Sequence, residues 1–141
     1  MTSNCSDHLA STRSMLDRQS EELCRLSTKY TDDSYEACQD FSRQVAILNG
    51  LVAAVYGEVV ACSKEIESIA EIAESWKLYL ASLDKILKRV KGLKDQFPDC
   101  GAPELYNHIL DYRIAAKERM DHAVEEGMCP NTPAGLFPTP K

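Results

Sequence analysis

Six cysteines and three histidines are the residues through which this 141-residue chain could do thiol or metal chemistry. The cysteines stand at 5, 24, 38, 62, 100 and 129 and make no Cys-x-x-Cys pair and no zinc-like spacing. His8, His108 and His122 have no Cys or carboxylate companions at ligand spacing. The nearest matches to a di-iron Glu-x-x-His motif are Glu104 with His108 and Glu118 with His122, each four apart and each alone. No glycine-rich phosphate loop and no Gly-x-Ser-x-Gly elbow is present. The expectation is therefore a chain that is not an enzyme and takes no cofactor and no metal.

The opening MTSNCSDHLASTR lacks the charged-then-apolar pattern of a secretory signal. That leads us to expect a cytoplasmic protein with reduced thiols, two of them packed into a helix seam. It also makes the formal glycosylation acceptor Asn4-Cys5-Ser6 idle. No run of eighteen or more apolar residues occurs, so no transmembrane helix is expected. A net charge of −6 argues against general affinity for nucleic acid, whose phosphates demand a basic surface. One basic stretch, KILKRVKGLK at 85–94, stands out in the acidic chain. Lys85, Lys88 and Arg89 would form a docking patch for an acidic protein or lipid head group on the outer face of a helix. The same cations near a helix C-terminus would also meet its dipole favourably.

The elements that would position these residues are helices. Phe41, Val45, Leu48, Val52, Val55, Val59, Cys62, Ile66, Ile69, Ala73, Trp76, Leu80, Leu83, Leu87 and Val90 alternate at steps of four and three, and Lys94 and Phe97 continue the series. Such a 3.5-residue repeat predicts a left-handed supercoil with a neighbouring helix. Asp33 with Glu36 offers a capping box, with Thr31 and Asp32 in competition, and Pro98 forbids continuation. One helix over about 34–97 would span about 95 Å. Gly50 and Gly57 mark the place to expect a bend, and Lys94 interrupts the seam.

Shorter helices flank this rod. Leu9, Leu16, Leu23 and Tyr30, with Leu26, suggest a helix from about Asp7 to Tyr30. Pro103 suits a first helical turn. Beyond it Leu105, Tyr106, Ile109, Leu110, Ala116, Met120, Ala123 and Val124 share a face that ends near Gly127. The expected organisation is all-α: an N-terminal helix and cap region at 1–32, a long coiled-coil helix at 33–97, a reversal and C-terminal helix at 98–127, and a flexible proline-rich tail at 128–141. Leu136 and Phe137 are adjacent bulky apolar residues of that tail and suit a short docking motif.

The heptad helix carries a third apolar column. With the Val45 series as position a, Leu51, Ile72, Tyr79, Ile86 and Leu93 fall at g. Three columns exceed what two short flanking helices would cover, and leaving them wet would forgo roughly 1.5–3 kcal/mol per side chain. Ile66, Ile69, Ile72, Trp76, Tyr79, Leu80, Leu83, Ile86 and Leu87 are accordingly expected to bind a helical partner, with Trp76 as anchor. The function this suggests is a scaffold or adaptor subunit that forms homo- or hetero-oligomers. The alternative is a self-contained helical bundle acting as a bacterial or viral effector or chaperone.

The heptad residues Leu83, Leu87 and Val90, the break Cys100-Gly101 and the following Glu104-Leu105 resemble the dysbindin-like subunits of the complex that builds lysosome-related organelles. The outline is similar to small spindle-and-kinetochore-associated subunits as well. Either resemblance implies a cytosolic coiled-coil assembly and covers residues 76–115 at most. Pro98 and Pro103 depart from the dysbindin pattern.

Overall fold

The heptad run does not make one rod. The computed structural model describes residues 2–32, 34–66 and 68–128, and these form four helices of similar length. They are α1 (Thr2–Lys29), α2 (Tyr35–Ser63), α3 (Ile69–Gln96) and α4 (Ala102–Met128), of 28, 29, 28 and 27 residues. The expected arrangement of one long helix between two short ones is corrected to a four-helix bundle. The tail beyond 128, with Leu136 and Phe137, lies outside the described residues.

The chain breaks at 64–68 for local reasons. The last turn of α2 tightens, with the Lys64 amide donating to the Ala61 carbonyl at 3.2 Å and the Glu65 amide to Cys62 at 2.9 Å. Ser68 then adopts an extended conformation, and its hydroxyl accepts from the Glu71 amide at 3.3 Å. Ser68-Ile69-Ala70-Glu71 has the spacing of a capping box, a start signal for a new helix. The predicted bend at Gly50 and Gly57 does not interrupt the chain, since α2 runs through both.

At the other turns the expected helix ends hold more closely than the expected cap residues. Ser34 caps α2 by accepting from the Ala37 amide at 3.2 Å, while the expected cap Asp33 is outside the described residues. Gly101 takes φ +93°, a left-handed conformation that L side chains rarely adopt, directly before Ala102 and Pro103 open α4.

Around the bundle the order is α1, α2, α4, α3, with α2 and α3 touching across the short diagonal and α1 and α4 apart. In α2 the buried positions are the expected a and d residues, Phe41 through Cys62. In α3 they turn toward d and g: Trp76, Tyr79, Leu83, Ile86, Val90 and Leu93 are buried, together with Leu80. Of the g column expected to await a partner, Tyr79, Ile86 and Leu93 are thus the chain's own core, and Leu51 and Ile72 are half-buried. Two polar side chains in this core are paired across helices. The Tyr79 hydroxyl donates to the Val52 carbonyl at 2.8 Å, and burial pushes its ionisation up. The Gln44 amide donates to the Gln19 carbonyl at 2.9 Å.

Two disulfides close the frame and correct the expectation of reduced thiols. Cys5 pairs with Cys62 at a Cα separation of 5.9 Å, and Cys38 with Cys100 at 4.5 Å. Both separations are ones a disulfide can span. They fasten the two ends of α2, one to the first turn of α1 and the other to the α3–α4 turn.

Two outcomes follow for stability. Trp76→Ala is expected to lower the unfolding free energy by about 3–5 kcal/mol, as for other buried aromatics. Replacing Cys38 and Cys100 together by serine is expected to lower it by about 2–4 kcal/mol. Urea denaturation followed by circular dichroism measures both. A Trp76→Ala chain of unchanged stability would mean that this residue is not a core side chain.

Candidate functional site

The residues expected to meet a partner divide between core and flank. Ile66, Trp76, Tyr79, Leu80, Leu83 and Ile86 are buried inside the chain, and Ile69, Ile72 and Leu87 are half-buried. Their apolar surface is satisfied by α1, α2 and α4 because the break at 64–68 lets α3 return beside them. As a free docking surface this set is therefore corrected.

The basic patch is also drawn inward. Lys85 lies 3.1 Å from the Asp17 carboxylate on α1. Arg89, only 19% exposed at its side chain, donates to the Asp17 carboxylate at 2.9 Å and to the Asp17 carbonyl at 3.2 Å. It also bonds the Ser20 hydroxyl and lies 3.6 Å from Glu21. Of the three predicted residues only Lys88 stays on the exposed outer face without an ion pair among the described residues. Lys85 and Arg89 would look outward from a seam between two helices, but in the bundle α1 occupies that side. Lys94 leaves the seam and sits over the Tyr106 ring, 4.3 Å from its centroid.

Among the described residues no group of three or more His, Cys, Asp or Glu side chains converges on one point. The His108 ring lies 5.0 Å from that of Tyr112.

The surface that the periodicity did not single out is the outer face of α2. Ala46, Ile47, Gly50, Ala54, Gly57 and Ala61 are exposed along it, with Leu51, Ala53 and Val60 half-buried beside them. From Gln44 to Ser63 the only charged residue is Glu58, which is half-buried with a carboxylate oxygen 3.3 Å from His8. The outer faces of the other helices are charged in the ordinary way, with Arg18, Glu21 and Arg25 on α1, Glu71, Glu74 and Lys77 on α3, and Asp111, Lys117 and Asp121 on α4. A soluble helix usually opposes its core stripe with polar residues, and α2 does not.

This double apolar character has a numerical trace. An 18-residue window of α2 reaches a mean hydropathy of 1.9, so by length and composition the helix could cross a membrane. One third of that window is buried in the bundle. The signal was legible in the row of Ala and Gly at 46, 50, 54, 57 and 61, read by a helical period rather than by bulk. Nothing lies within 4 Å of where a Cβ on Gly50 or Gly57 would stand, so the face is smooth and open.

Comparison with protein-family models, with characterised proteins and with solved structures finds no match.

The Asp17 cluster makes a pH dependence. The hydrogen bond from Lys85, with Arg89 beside it, holds the Asp17 carboxyl below the usual carboxylate range. A depressed native pKa contributes stability that is complete above the ordinary carboxylate pKa and is lost as pH falls through the native one. The urea midpoint should therefore decline as pH drops below about 5, and Asp17→Asn should flatten that decline. An unchanged slope would show that the cluster adds no linkage.

Proposed function

We propose that this protein is a non-catalytic binding module, a disulfide-stapled helical bundle that associates through the outer face of α2 with another helical surface, that of a second copy. The observation that carries this reading is the charge-free face from Ala46 to Ala61, about 22 Å long at 1.5 Å per residue. Small residues let two helix backbones approach closely, so that dispersion contacts and apolar burial add up along the seam. A uniform, uncharged stripe complements its own copy without any charge pairing. This keeps the scaffold character expected from the heptads but moves the partner surface from α3 to α2.

The two disulfides support an oxidising compartment over the cytosol, since paired thiols persist only where they are not reduced. They also favour the self-contained bundle over a subunit that folds only in company.

Sedimentation equilibrium at micromolar concentration tests the association. The chain is expected to dimerise, and Gly57→Arg to weaken the dimer at least tenfold, about 1.4 kcal/mol, without lowering the urea midpoint of the monomer. Gly50→Ala, by contrast, should stabilise the fold by up to about 1 kcal/mol, because the helix gains propensity and the methyl meets nothing. A strict monomer, or a dimer indifferent to Gly57→Arg, overturns the proposal. Co-sedimentation with neutral liposomes that Gly57→Arg abolishes would assign the face to lipid instead.

A further inference from the structure

A second feature lies where the C-terminal end of α2 meets the start of α3 and the end of α4. A cavity of about 320 Å³ opens there. Ile72, Trp76 and Ala123 supply its apolar lining, and Glu118, Arg119 and His122 line it from α4. Its size falls at the lower end of the range for small-molecule sites.

Two donors around this cavity have hydrogen-bonding capacity to spare among the described residues. Trp76 is 2% exposed, and its indole N–H meets no acceptor among the described residues. That nitrogen is not sealed off either, since it is absent from the fully enclosed unpaired atoms, which are Asn49 Oδ1, Glu58 Oε1 and His108 Nε2. Trp76 is one of the residues that line the cavity. Buried indoles usually find a partner, and here that position is left for a ligand.

The second donor is Arg119. Its Nε donates to the Tyr56 hydroxyl at 3.0 Å, and its guanidinium carbon stands 5.8 Å from the Tyr56 ring centroid. Tyr56 is itself held by ring contacts to Trp76 at 5.2 Å and Tyr112 at 5.3 Å. The guanidinium is thereby steadied through one nitrogen, while its two terminal amino groups make no ion pair among the described residues. A planar fork of this kind suits a carboxylate, which it can grip with two parallel bonds.

From the apolar lining, the unpaired indole donor and the steadied guanidinium, we infer that this cavity binds a small amphiphilic carboxylate. Its hydrocarbon body would lie against Ile72, Ala123 and the Trp76 ring, and its carboxylate would accept from Arg119 and from the indole N–H. Glu118 on the same rim opposes any anion that reaches past Arg119, which restricts the site to a single carboxylate and disfavours polyanions. The site is separate from the α2 face and does not depend on association of the chain.

Trp76 is the only tryptophan, so intrinsic fluorescence reports on the cavity directly. The full chain is titrated with octanoate below its micellar concentration, and in parallel with octanol and octylamine. Octanoate is expected to change the emission saturably and to bind at least tenfold more tightly than octanol. Arg119→Gln should bring octanoate down to the octanol level while leaving the urea midpoint unmoved, because Arg119 is exposed. Isothermal titration calorimetry of the same pairs gives an independent reading. A non-saturable response, equal binding of octanoate and octanol, or an Arg119→Gln chain that binds octanoate unchanged would overturn the assignment. Tighter binding of octylamine would make Glu118 the anchor and overturn it as well.

Discussion

The interaction on which this structure rests is the packing of α3 against α2 across the short diagonal, where Tyr79 reaches the Val52 carbonyl and is itself fully buried. Two helices as apolar as these need cover on more than one side. A continuous rod would hold them end to end, so that neither could shelter the other. Breaking the chain at 64–68 converts that length into width. α1 then fills the groove on one side of the pair and α4 the groove on the other, which is why those two do not meet among the described residues. The core that results contains Trp76, Phe41, Phe97 and leucines from every helix, and most of the apolar surplus of α3 is buried in it.

Once α2 and α3 lie side by side, the remaining contacts fix register rather than supply bulk. Arg89 and Lys85 on α3 converge on Asp17 of α1, which sets the height of one parallel pair. The Cys38–Cys100 bridge sets the height of the other by tying the start of α2 to the start of α4. Partly exposed ion pairs contribute little energy singly, but a misaligned α1 would leave the half-buried Arg89 without its acceptors. The hydrogen bond from the Tyr30 hydroxyl to Asp40, 2.6 Å long, similarly closes the α1–α2 hairpin and holds that carboxyl below its usual range.

The same arrangement explains where the molecule has surface to offer. α2 touches three neighbours, yet it keeps an outward strip built from alanine and glycine. Residues that small add little to a monomer core, and their lack of charge is unfavourable for a strip that stays wet. Both properties suit the association proposed for this face. The cavity beside Trp76 arises differently, at the end of the bundle where α2 stops at Ser63 and α3 has only begun, so that side chains from three helices do not fully close over the indole.

Much of this was legible in the residues themselves. Helical character, the a and d positions of α2, the turn at 98–101 and the start of α4 follow from period, proline and glycine, because those signals act within a few residues of where they stand. The capping spacing of Ser68 and Glu71 was equally local, but an unbroken heptad phase outweighs it when the chain is read as one helix. Phase is blind to a reversal that inserts a multiple of the repeat. Which side of α3 faces inward, which cysteines pair, and whether Arg89 meets solvent or Asp17 depend on neighbours 57 to 72 residues away in the chain. Those outcomes were decided by the tertiary structure, because only the return of α3 beside α2 tells each side chain whether it faces water, a neighbour or the core.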